Sequence, residues 1–279
     1  MQETAAASRE ESVAGSGRKL YLSVRMPTVD LERTEARAAA AGGTEKRAYV
    51  RRVFSEIAPR YDLLNHLLSF NIDRGWRRRA IAALDPLRNP TGVYIDLCAG
   101  TLDVSCQLSQ TRGFRGLVLG TDFAEPMLRA GLHKAPRVLV APVTADALEL
   151  PVAHDTAAGA IVAFGIRNVA SLSAGLAEVY RVLEPGGRFV ILEFSTPRSR
   201  VVRGVYHAYF HTVLPAVGRI VSGHRTAYRY LPESVARFPM QDELARAMRD
   251  AGFVNVRWEP LTMGIAAIHA GDKPGRAPV

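Results

Sequence analysis

Cysteine is nearly absent from this 279-residue chain: Cys98 and Cys106 are the only two. Two cysteines build neither a disulfide framework nor, alone, a zinc site, and their scarcity fits a reducing, cytoplasmic setting. There is no apolar run of the roughly 20 residues that a membrane-spanning helix needs. A glycine-rich P-loop is missing, and so is the full G-x-G-x-x-G fingerprint of a dinucleotide site. Lysine is scarce, and arginine supplies most of a net charge of +9. Such a charge favours anionic partners without choosing among nucleic acid, lipid and cofactor.

What is present is the balance of a globular protein, 48% hydrophobic and 23% charged. Residues 1–44 differ from the rest. They are rich in Ala, Glu, Arg, Ser and Gly, and are expected to form a disordered tail. Glu3, Glu10, Glu11, Asp30, Glu32 and Glu35 argue against a mitochondrial transit peptide. Met26 is expected to be the true start, with the first 25 residues dispensable. Order should begin near Glu45, with Val50, Val53, Phe54 and Ile57 at helical spacing and Pro59 as the stop. A second helix is read over 61–70, and a third from a cap at Asp73 to Leu84.

From residue 92 the pattern becomes alternating strands and helices. Strands are read at 92–97, 116–121, 137–143, 157–164 and 188–194, and helices at 101–110, 124–134 and 171–183. A helix at 240–251 and strands at 253–259 and 262–270 close the chain. Near-continuous apolar strands between helices argue for a parallel sheet covered on both faces, and the short turn before the last strand makes one member antiparallel. The expected fold is thus α/β: a seven-stranded, mostly parallel, Rossmann-like sheet with one antiparallel strand and helices on both faces. Its domain spans 45–272, with a substrate-covering insertion at 199–238 and a short flexible tail at 273–279.

The first strand runs into Asp96-Leu-Cys-Ala-Gly100-Thr101-Leu102-Asp103. A small-residue turn at Ala99-Gly100-Thr101 lets a ligand approach backbone, and Asp96 at the strand's end and Gly100 in the turn are candidate cofactor residues. Asp122, about 20 residues on, ends the second strand where an acid accepts ribose hydroxyls, or merely caps a helix. Asp146-Ala147 follows the third strand, where a carboxylate accepts from an adenine amino group. Three such features at strand ends point to an adenosine-bearing ligand. The turn lacks a pyrophosphate cradle, so S-adenosylmethionine suits it better than a nicotinamide dinucleotide.

Tyr61-Asp-Leu-Leu-Asn65, Phe164-Gly-Ile-Arg-Asn168, Tyr180-Arg-Val-Leu-Glu-Pro-Gly-Gly187, Leu192-Glu-Phe-Ser195 and Tyr228-Arg-Tyr-Leu-Pro-Glu-Ser234 resemble the signatures of the UbiE/MenG family. These are the C-methyltransferases of menaquinone and ubiquinone biosynthesis, and the resemblance covers about 46–271. It implies the class I methyltransferase fold, S-adenosylmethionine as cofactor, held by Thr101, Asp122, Asp146 and Ala147, and a polyprenylated quinol as substrate, demethylmenaquinol above all. Arg167 would stabilise the phenolate, Asn168 would bond a ring oxygen, and Tyr61 would lie over the ring. A salt bridge for Arg167 and a helix cap for Asn168 are the structural alternatives.

In the family's Gly-Thr-Gly-Asp turn, Leu102 replaces the last glycine; it is expected to sit with a tolerated φ. A few family members have serine where this chain has Ala163. His207 and His211 stand four apart, but Ala208 breaks H-E-x-x-H, so no metal is expected. The arginines around Trp76 read as a solvated helix face, with anionic headgroups as a peripheral membrane partner. A homodimer is compatible with the sequence. The rival readings are a nucleic-acid methyltransferase and a non-catalytic cofactor-binding module. Against the first, no Pro-Cys occurs, and Phe-Gly-Ile-Arg-Asn stands where Asn/Asp-Pro-Pro-Tyr/Phe would.

Overall fold

A computed structural model describes residues 43–62, 71–209, 212 and 225–276. The helix read over 61–70, the His207–His211 pair and much of the 199–238 insertion lie largely outside these residues.

Helix α1 spans Gly43–Ile57 and runs into a 3-10 turn at Ala58–Arg60, where Pro59 removes a backbone donor. It begins two residues before the expected boundary. Helix α2 spans Ile72–Leu84. Its cap is Asn71, in the left-handed conformation, and not Asp73. Asp73 lies inside the helix, buried against Arg77 at 2.6 Å. Arg77 is therefore not part of a solvated face, and Trp76 is buried beside it.

Then come β1 (Val93–Leu97), α3 (Asp103–Ser109), β2 (Leu117–Asp122), α4 (Glu125–Gly131), β3 (Val140–Thr144), β4 (Ala157–Ala163), α5 (Leu172–Val182) and β5 (Leu183–Phe194). Helices α6 (Arg200–Ala208), α7 (Arg225–Arg237) and α8 (Gln241–Asp250) follow, then β6 (Val254–Leu261) and β7 (Ala266–Asp272). The sheet order is β3-β2-β1-β4-β5-β7-β6. The pairs among β1 to β5 are parallel, and β7 is antiparallel to both its neighbours, β5 and β6.

Alternation along the strands builds two cores. Tyr94, Ile161, Val190 and Ile268 face α2 and α3 with Trp76, Leu84 and Leu108. Ile95, Ala160, Ile191 and Phe189 face α5 and α8 with Val179, Leu244 and Met248.

Three boundaries differ from the sequence reading for local reasons. β3 starts later because Leu139 and Val140 donate to the Pro136 carbonyl, making 136–140 a turn. β5 starts earlier, because Leu183 already pairs with Ala157 and Pro185-Gly186-Gly187 forms an irregularity within the strand. α4 ends at Gly131, whose added Cβ would lie 2.2 Å from the Thr101 carbonyl oxygen. Only glycine permits that approach between the helix and the turn after β1.

Candidate functional site

Strand order reverses between β1 and β4, so their carboxyl ends diverge into a crevice, the usual place for a ligand in an open α/β sheet. A cleft of about 680 Å³, counted out to its open mouth, lies there. Its floor comes from the turns after β1, β2, β3 and β4: Cys98, Gly100, Asp122, Asp146, Ala147, Phe164 and Asn168. Arg47, Val50 and Phe54 of α1, with Tyr61, Phe123 and Met127, form the remaining walls.

The turn after β1 is left-handed at alternate positions, with φ 54° at Cys98, 54° at Gly100 and 65° at Leu102. The φ at which the turn accommodates Leu102 is left-handed: the loop keeps a glycine-like shape, with leucine fully buried against Cys106 and Leu128. A Cβ on Gly100 would sit 3.3 Å from Met127 Cε. The Gly100 N–H donates to Asp122 Oδ2 at 2.9 Å, and the Ala124 N–H to Oδ1 at 2.9 Å. Asp122 therefore ties the turn and starts α4 as well as facing the cleft. Burial raises its carboxyl above the usual range, against the pull of those backbone donors.

Asp96 and Thr101 do not line the cleft. Asp96 is buried and accepts from the Ser105 N–H at 2.9 Å and hydroxyl at 2.6 Å, fastening α3 to β1. Burial pushes its carboxyl up to about 7. The Thr101 hydroxyl donates to Asp62. Lys134 then bridges Asp62 and Asp103 at 2.6 Å each, and Arg77 joins Asp103 to Asp73. This chain of charges fixes the turn from beneath.

At the other end of the cleft Phe164 is left-handed (φ 59°), followed by a 3-10 turn at Ile166–Asn168. Asn168 lines the cleft with its Oδ1 buried and unpaired. Arg167 does not line it. Its guanidinium is buried, with Nη1 2.6 Å from Glu193 Oε1 and donating also to the Phe164 carbonyl. Glu193 accepts from the Arg167 and Phe194 N–H groups too. Burial raises the Glu193 carboxyl, against the opposing Arg167 charge. The salt-bridge alternative is the geometry found. The cap alternative is not: Asn168 ends its 3-10 turn, and Ser171 caps α5.

The sequence reading missed α1 as a wall. Lys46 Nζ donates to the Arg167 carbonyl at 2.7 Å, and Arg47 pairs with Asp146 at 2.6 Å. Burial, with the Arg167 charge adding to it, brings the Lys46 ammonium down to about 8. The available signal was spacing: positions 47, 50 and 54 share one helix face.

Among the described residues no helix is long and apolar enough to cross a membrane, and no His/Cys/Asp/Glu group of three or more could hold a metal ion.

Known proteins resemble this chain in sequence and in fold. A demethylmenaquinone methyltransferase of Thermus thermophilus is 48% identical over 80% of this chain and 100% of its own. A ubiquinone/menaquinone biosynthesis C-methyltransferase of Geotalea daltonii is 42% identical over 82% of this chain and 98% of its own. A solved SAM-dependent methyltransferase from Thermotoga maritima superposes with a TM-score of 0.54 at 18% identity, covering 80% of this chain and 98% of that one, a likeness of fold alone. Residues 43–273 match the ubiE/COQ5 methyltransferase family, and the chain belongs to that family.

Proposed function

We propose that the protein methylates a ring carbon of a polyprenylated quinol, of the demethylmenaquinol type, using S-adenosylmethionine. The observation that carries this is the charge and shape of the cleft, acid-lined at the ends of β2 and β3 and ending at the unpaired Asn168 Oδ1.

The residues fit that cofactor. The Gly100 N–H, which would cradle a pyrophosphate, is already given to the Asp122 carboxylate. A phosphate there would meet a negative charge. Arg47 is the one cationic lining residue described, and it is paired with Asp146. A ligand with no phosphate and a positive sulfur suits such walls. Asp122, already accepting from the Gly100, Phe123 and Ala124 N–H groups, keeps acceptor capacity for a ribose hydroxyl, and Asp146 with Ala147 stands at the adenine end.

When bound, S-adenosylmethionine supplies a methyl group on a positively charged sulfur. The protein's own part is positioning and exclusion of water. Phe54, Tyr61, Phe123 and Phe164 offer apolar faces to a flat ring. Asn168 Oδ1 accepts a hydrogen bond from a ring hydroxyl, leaving more electron density on the neighbouring ring carbon. Arg167 acts through the turn: its bonds to Glu193 and to the Phe164 carbonyl hold 164–168 so that Asn168 faces the cleft.

The test is to offer the purified protein labelled S-adenosylmethionine with demethylmenaquinol, a demethylated ubiquinol precursor or bulk tRNA. Label in the menaquinol ring is the expected result. Label in tRNA would overturn the substrate class, and saturable cofactor binding without transfer to any acceptor would mark a binding module.

A further inference from the structure

Asp146 is held from two sides. The Leu148 N–H donates to its Oδ1 at 2.9 Å, from its own loop. Arg47 Nη2 lies 2.6 Å from its Oδ2, from helix α1, 99 positions earlier in the chain. Arg47 also lines the cleft, on the face that carries Val50 and Phe54. Its neighbour Lys46 anchors the same helix to the Arg167 carbonyl at 2.7 Å. Consecutive residues of α1 therefore reach opposite ends of the cleft, and the arginine is fixed where the helix is fixed.

An adenine base presents an amino group, a donor, at its six-position. A hypoxanthine base presents a carbonyl oxygen there, an acceptor. A carboxylate separates the two only if its oxygens stay in the plane of the base; a freely turning carboxylate swivels away and loses the distinction. Each Asp146 oxygen has one partner and one lone pair to spare. The Leu148 contact alone leaves rotation about the side-chain bonds. A second, charged contact on the other oxygen removes it.

We propose that Arg47 is a positioning residue for base recognition. It locks the Asp146 carboxylate in the orientation that accepts the adenine amino group, and so sets selectivity for an adenosyl over an inosyl ligand. The inference rests on the S-adenosyl reading above. Nothing about Arg47 requires contact with the reacting atoms.

The experiment is calorimetric titration of the full chain with S-adenosylhomocysteine and S-inosylhomocysteine, for the natural protein, Arg47→Ala, Arg47→Lys, Asp146→Asn and the double variant Arg47→Ala/Asp146→Asn. The natural protein should prefer the adenosyl ligand. Arg47→Ala should weaken adenosyl binding about five- to tenfold, as for a lost charge-assisted hydrogen bond with an exposed partner, and inosyl binding less than about twofold. Arg47→Lys should recover part of the preference, since a point charge holds one oxygen without the planar fork. The double variant should bind no more weakly than Asp146→Asn alone, because Arg47 acts only through that carboxylate. Equal weakening of both ligands in Arg47→Ala would assign Arg47 to holding the helix only and overturn the proposal, as would an unchanged preference. A natural protein that binds neither ligand overturns the S-adenosyl reading itself. A natural protein that binds both without preference overturns only the role of Arg47. Melting curves of each variant separate lost folding from lost recognition.

Discussion

At the residue scale, Leu102 shows two opposing terms of similar size. Holding a leucine at φ 65°, ψ 20° costs about 1–2 kcal/mol, because its Cβ crowds the following carbonyl. Burying the side chain completely returns about 1.5–3 kcal/mol. Burial therefore covers the strain, and the turn keeps the shape that glycine would give it. Leu102→Ala keeps the strain and loses the packing, so its stability should fall by about 2–5 kcal/mol. Leu102→Gly loses the packing but relieves the strain. It should melt at or above the temperature of Leu102→Ala, the reverse of the order expected in regular structure. Melting curves of the two variants decide; the ordinary order would mean that the turn relaxes out of the left-handed region in the variants.

Arg167 is a second case. Removing one member of a buried ion pair strands the other and costs about 3–5 kcal/mol. Arg167→Ala should thus lower the melting temperature as well as turnover, and Glu193→Gln should do so less, since the amide still accepts from the Arg167 guanidinium. A variant Arg167→Ala that melts like the natural protein but turns over slowly would return the guanidinium to the reacting oxygen.

At the element scale, the sheet was readable and the wall was not. Val93–Leu97, Ala157–Ala163 and the second half of β5 are short, mostly apolar runs bounded by turn residues, and their length and flanks mark them as strands and not buried helix. Asp122 and Asp146 line the cleft because each stands at or just past the carboxyl end of a strand, a place that the strand pattern marks. The periodicity of Val50, Val53, Phe54 and Ile57 says that one face of α1 is buried, but not against what. The partner of Arg47 is Asp146 and that of Lys46 is the Arg167 carbonyl, 121 positions away. Local pattern carries no trace of such pairings. Thr101 lies in the turn after β1 and Asp96 on β1 itself, yet their side chains point into the supports of that turn and not into the cleft. Burial of Asp96 and the Asp62 bond of Thr101 depend on chain far from either. The distinction predicts different truncations. Removing residues 1–42 should leave the melting temperature and S-adenosylhomocysteine affinity unchanged. Removing 1–57 takes away Arg47, Val50 and Phe54 and should weaken that affinity at least about tenfold, through lost apolar contact. Equal affinities for the two truncations would exclude α1 from the site.

At the scale of the whole molecule, the +9 charge meets a proposed substrate that lives in membranes. Arginines 74 and 78 of α2 line a second surface groove, and Val201 on α6 and Met263 after β6 are more than two-thirds exposed. Cationic side chains suit an anionic lipid surface, worth about 1 kcal/mol per arginine close to it. The protein should sediment with vesicles containing anionic lipid and not with neutral ones, and raising the salt to about 1 M should release it. Retention at high salt would assign binding to apolar insertion, and no sedimentation would leave the charge without this role.

Helix α1 carries Lys46, Arg47, Arg51 and Arg52, four tryptic cleavage points, on the one element tied to both ends of the cleft. A protease must find these bonds unwound, so cutting requires the helix to lift. A ligand that needs the helix seated then competes with the protease for the same equilibrium. At a hundredfold excess over its dissociation constant it should slow the cut about a hundredfold. Helix α1 is thereby a built-in occupancy gauge, legible on a gel without any assay of methyl transfer.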